Sequence, residues 1–109
     1  MAFHEFSLLP CAPGTGERFD RYEPEKYACI RVHDDLISDI QSALCSIETF
    51  WHIADIPRYG LDEAGITLIP PESAGRMAEA FREKTGFSEL TGLLRQAHQM
   101  QKWIIHFGI

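Results

Sequence analysis

Apolar and polar residues alternate over residues 27–32, with Ala28, Ile30 and Val32 on one face and Tyr27, Cys29 and Arg31 on the other. A period of two predicts a strand. His33, Asp34 and Asp35 then stop it. Either aspartate suits a helix start, where its carboxylate accepts from free N–H groups and meets the positive end of the dipole. Beyond them the period changes. Leu36, Ile40, Ala43, Leu44 and Ile47 recur at steps of three and four, with Ser38, Asp39, Gln41, Ser42 and Ser46 opposite. That spacing predicts a helix over 35–47.

Residues 49–53 are β-branched and aromatic and predict a second strand. Pro57, Gly60 and Gly65 make 55–65 a loop, and 65–69 is a short strand closed by Pro70 and Pro71. Pro71 opens the next helix at a position that needs no N–H. Its stripe is Ala74, Met77, Ala78 and Phe81, its span 71–85, and Gly86 ends it in the left-handed conformation. Gly75 inside that helix predicts close approach by another element. Ser88 reads as the cap of a helix over 88–101 with Leu90, Leu93, Leu94 and Ala97 inward. Residues 103–107 carry two isoleucines and two aromatics and read as a last strand, with helix continuation as the alternative. Phe3, Phe6, Leu8 and Leu9 suggest a first strand, and 11–26, with two prolines and a Gly-Thr-Gly turn, an irregular surface arm.

The order of elements gives an α+β fold: a small mixed or antiparallel sheet of four to five strands packed against two or three helices, a two-layer sandwich. A chain of 109 residues makes one domain, 1–109. At 45% hydrophobic and 24% charged, it is neither a disordered tail nor a coiled coil.

Charge narrows the partners. The net charge of −6 argues against nucleic acid, whose binders need Lys and Arg on the phosphates, and against an anionic membrane surface. No apolar run approaches the ~20 residues that span a bilayer. The first ten residues lack a signal peptide's positive flank. Three cysteines, an odd number without metal-like spacing, suit a reducing compartment, so the expected location is the cytoplasm. The acids concentrate in the middle: over 34–75 there are eight, against Arg58 alone. That is either a solvated surface or a face for a basic partner.

Motifs for chemistry are sparse. The Pro13-Gly14-Thr15-Gly16 turn lacks the lysine and spacing of a phosphate cradle. No nucleophile elbow is present. Cys29 and Cys45 read as packed thiols and Cys11 as exposed. His52 and His106 lie in two predicted strands and could converge with Glu48, or each could be a satisfied sheet histidine. No metal and no cofactor are expected.

The long loop over 51–60 is the best place for recognition, because Trp51, Arg58 and Tyr59 are residue types that dominate binding hot spots. With Asp55, Asp62 and Glu63 they form the candidate binding set. The expected function is a small cytoplasmic protein-binding module, an acidic inhibitor or immunity-type protein for a basic partner. The alternative is a small enzyme or ligand-binding domain with a pocket between sheet and helices. A homodimer built on a sheet edge or aromatic surface is the third reading.

Overall fold

Six strands, every neighbouring pair antiparallel, form one sheet in the order β2-β1-β6-β5-β3-β4 in the computed structural model, which describes residues 2–108. They are β1 (Phe3–Leu8), β2 (Ile30–His33), β3 (Glu48–Trp51), β4 (Pro57–Tyr59), β5 (Ile66–Ile69) and β6 (Ile104–Phe107). Three helices, α1 (Asp34–Leu44), α2 (Pro71–Phe81) and α3 (Ser88–Met100), pack against it. The α+β class and the antiparallel sheet agree with the sequence reading, but the sheet has one strand more than the upper expectation. The addition is β4, an exposed three-residue edge inside the stretch read as a loop.

The last strand goes to the middle. β6 lies between β1 and β5, with His106 opposite Phe6 on one side and Thr67 on the other. All four of its residues are buried, which requires cover on both faces. On one face the helices bring Ile37, Ile40, Met77, Phe81, Leu90 and Leu94 onto Phe6, Ile69 and Ile104. On the other, Leu9, Ile66, Leu68, Ile105 and Phe107 form a second cluster beneath Phe19, Tyr27 and Cys29. The irregular arm therefore does more than connect: it shields the sheet face that the helices leave bare.

Several boundaries differ from the periodicity for local reasons. The strand placed over 27–32 starts only at Ile30, because Pro24–Lys26 form a 3-10 turn ahead of it. α1 ends at Leu44 and buries Ile37, Ile40 and Leu44, while Leu36 is half-buried and Ala43 exposed. Its cap is His33, whose Nδ1 accepts from the Asp35 N–H at 3.1 Å, so neither aspartate caps the helix. α2 stops at Phe81, short of Gly86, which does hold a left-handed φ of 92°. Ser88 is the first residue of α3 and not its cap. Gln101, at φ 55°, ends α3 in the left-handed region and turns the chain into β6.

Two glycines show opposite packing. A Cβ on Gly108 would lie 2.7 Å from the Asp62 carbonyl oxygen and closer still to Glu63, so this backbone is pressed against the β4–β5 connection. Gly92, in α3, has nothing within 4 Å. Gly108→Ala is expected to destabilise by ~1–3 kcal/mol through the backbone shift it forces. Gly92→Ala should stabilise by ~0.5–1 kcal/mol, since only helix propensity changes. Urea unfolding midpoints of the two variants check both signs.

Candidate functional site

The most ordered polar constellation lies inside the sheet, and the partners it gives His106 are not the ones expected from sequence. β1, β6 and β5 are consecutive neighbours, and each places one polar side chain on the helix-covered face: His4, His106 and Thr67, all at 0% exposure. The Asp34 N–H bonds to the Ala2 carbonyl at 3.0 Å, which docks the first turn of α1 beside β1. The carboxylate of Asp34 thereby reaches His4.

The contacts form one continuous line. His4 Nε2 is 2.7 Å from Asp34 Oδ1, and His4 Nδ1 is 2.7 Å from His106 Nε2. His106 Nδ1 is 3.1 Å from Thr67 Oγ1, which accepts the Asp62 backbone N–H at 2.9 Å. The two imidazole planes lie within 12° of each other, and Phe6 packs on His106 with ring centroids 4.8 Å apart.

Protonation follows from satisfiability. An ionised Asp34 only accepts, so His4 donates from Nε2 and, when neutral, accepts at Nδ1. His106 must then donate from Nε2 and accept at Nδ1 from the Thr67 hydroxyl. Every donor finds an acceptor and all bonds run one way, from the Asp62 N–H to the Asp34 carboxylate. Aligned bonds of this kind polarise and strengthen one another in a low dielectric. Burial holds His106 well below the ordinary imidazole value, and His4 beside it adds to the effect. No buried side-chain nitrogen or oxygen among the described residues lacks a partner.

The residues singled out from sequence are dispersed. Asp55 and Tyr59 line an open cleft of about 760 Å³ beside the start of α2, together with Glu48, Phe50, Glu72 and Trp103. Asp55 also accepts from the Gly16 N–H at 3.3 Å, which ties the arm to this cleft. Asp62 lines a second cleft of about 370 Å³ with His52, Phe19, Tyr22 and Phe107. It has a local role as well, since Oδ1 accepts from the Ala64 N–H at 3.3 Å. Arg58 and Glu63 are exposed and line neither cleft. Trp51 is half-buried and donates its indole N–H to the Gly60 carbonyl at 3.4 Å, a packing role more than a contact surface.

His52 and His106 do not form a joint site with Glu48. The ring nitrogens of His106 are taken by His4 and Thr67, Glu48 sits in the larger cleft, and His52 in the smaller. His52 holds a left-handed φ of 44°, donates its N–H to Ile66 and accepts the Phe19 N–H, which fastens the arm to the end of β3. Among the described residues no group of three or more His, Cys, Asp or Glu is arranged to hold a metal ion. Among the described residues no helix is long and apolar enough to cross a membrane.

The three cysteines are unpaired. Cys11 is exposed as expected, but so is Cys45, at the C-terminal cap of α1, which corrects its reading as a packed thiol. Burial pushes the Cys29 thiol up to about 11, with the Glu5 carboxylate contributing. From an ordinary 9.0, this leaves roughly a hundredfold less thiolate. Native alkylation followed by peptide mass mapping should therefore label Cys11 and Cys45 quickly and Cys29 on the order of a hundredfold more slowly.

The depressed His106 has a consequence for stability. Unfolding releases an imidazole of ordinary value, 6.5, which takes up a proton that the folded state refuses. Neutral His106 thus contributes fully above pH 6.5 and its contribution is lost as pH falls below that value. The slope is at most about 1.4 kcal/mol per pH unit. Chemical denaturation from pH 7.5 to 5.5 should show it, and His106→Gln should flatten it while lowering stability throughout.

No family model, curated protein or solved structure matches this chain.

Proposed function

We propose that this chain is a small protein-binding module that receives a basic partner in the cleft beside α2. One observation carries the reading: three carboxylates, Glu48, Asp55 and Glu72, share an open cleft with the rings of Phe50, Tyr59 and Trp103, against one cation, Arg76. Among the described residues none of the three carboxylates is in an ion pair. Phe50 and Trp103 meet at 45° with centroids 5.6 Å apart, forming an aromatic corner. A lysine or arginine entering there finds carboxylates for its charge and π-faces for its stem and head.

The binding set read from sequence contracts to Asp55 and Tyr59, joined by Glu48, Glu72, Phe50 and Trp103. Masking the basic surface of another protein, as an inhibitor or immunity-type protein would, is the specific form of this proposal. A cytoplasmic setting belongs to the same reading. Long-range attraction would come from the net charge of −6, so association would slow with added salt.

A hexa-arginine peptide titrated into isotopically labelled protein tests it, with a hexa-serine peptide as control. Amide shifts are expected at Glu48, Asp55, Tyr59 and Glu72 and at the Trp103 indole, fading as salt rises. The double variant Asp55→Lys, Glu72→Lys should bind roughly tenfold or more weakly, because two attractive contacts become repulsive. Shifts centred elsewhere, or undiminished binding by a folded double variant, would reject the proposal.

A further inference from the structure

We infer that the Asp34–His4–His106–Thr67 line is a pH-sensitive switch that acts on the turn over 62–65. The argument starts from where a proton can go. His4 Nε2 already carries one toward Asp34, and the 2.7 Å gap between the imidazoles has room for one only. The single vacant ring position is Nδ1 of His106, which faces Thr67 Oγ1 at 3.1 Å. A proton taken up by the pair therefore ends there. It does so whichever imidazole holds the positive charge, since the shared proton between the rings belongs to both. The Asp34 carboxylate, 27% exposed, is the countercharge at the other end.

Protonation reverses the last link. Thr67 Oγ1 now faces an N–H and must accept, while it also accepts from the Asp62 N–H. Its own hydrogen has to turn away, and among the described residues no third partner stands near this fully buried hydroxyl. A buried donor without an acceptor costs about 1–3 kcal/mol. Opening of the turn, whose Asp62, Ala64 and Gly65 line an open cleft, relieves that cost by admitting water that accepts from both the hydroxyl and the freed Asp62 N–H.

The turn is built to register the change. Asp62 Oδ1 accepts from Ala64, the Asp62 carbonyl accepts from Gly65 at 3.4 Å, and Gly65 in turn accepts from Gly108 at 2.7 Å. The Asp62 N–H thus anchors a turn that lines the cleft with His52, Tyr22 and Phe107. Among the described residues no other titratable group bears on His106: Asp34 comes from α1, His4 from β1, and β5 offers only a hydroxyl. Ile37, Met77 and Leu94, which the three helices send to this face, carry no charge.

Hydrogen exchange and imidazole nitrogen spectra, recorded together on the full chain from pH 7.5 down to the acid limit of the folded state, test the switch. At neutral pH both rings should be Nε2–H tautomers. As the pair takes up its proton, the protection factor of the Asp62 amide should fall by about tenfold, the equivalent of one lost hydrogen bond. Thr67→Val should leave this amide poorly protected at every pH while the imidazoles still titrate. Absence of any imidazole titration before the chain unfolds, constant Asp62 protection through the titration, or a Thr67→Val protein whose Asp62 responds as the wild type does, would overturn the inference. Should Thr67→Val fail to fold, Asp34→Asn serves instead. Losing the countercharge should move the imidazole transition to lower pH by about one unit, and the Asp62 response with it. Separation of the two transitions in that variant would equally overturn it.

Discussion

The placement of β6 between β1 and β5 is the constraint on which the rest depends. Without it the sheet falls into two pieces, β2-β1 and β5-β3-β4, that share no hydrogen bonds. The strand that unites them is the last of the six in chain order, and its contact with β1 joins residues as far apart as Glu5 and Phe107. Such closure cannot be compensated by local structure, because its loop entropy is lost before any long-range contact forms. It also explains the composition of residues 103–107. A central strand covered on both faces has no solvent side, so Ile104, Ile105 and Phe107 are apolar without alternation.

The exception in that strand is His106, and the sheet resolves it with polar side chains from both neighbours. A polar line through a core contributes less to stability than well-packed apolar residues of the same volume would. What it adds is selectivity of pairing. A two-residue slip of β1 against β6, in the direction that carries His4 further past Phe107, preserves the apolar faces but withdraws His4 from its partner, leaving buried nitrogens unsatisfied. The His4–His106 contact therefore penalises the misregistered sheets that hydrophobicity alone would tolerate.

Much of the fold was legible because it is written in local periodicity. The three helices, the strands near 30, 50, 67 and 105, and the close approach at Gly75 all follow from spacing within a dozen residues. A Cβ on Gly75 would sit 2.8 Å from the His98 ring of α3. β4 escaped because Pro57, Arg58 and Tyr59 are all exposed and leave no burial pattern. The cap of α1 was misassigned because His33 is a rarer acceptor at that position than aspartate, although the adjacent acids are right for the dipole. The buried line was invisible for a different reason. His4 and His106 are 102 residues apart, and nothing local marks either as a partner of the other. Asp34 was legible as a helix-start residue, which concealed its second bond. Of the loop residues, Asp55 and Tyr59 shared a cleft, whereas Trp51 faced its own Gly60 carbonyl.

β4 has a further consequence, for self-assembly. An open sheet invites strands from other molecules at its unpaired edges. This edge is only three residues long, and Pro57 removes one of its amide donors. A visiting strand would find too few hydrogen bonds there to offset its ordering. The outer side of β2 is longer, but it runs directly into α1 at Asp34, where the chain leaves the plane of the sheet. Both margins are thus poor templates, which gives an open-edged antiparallel sheet its protection against fibrillar growth.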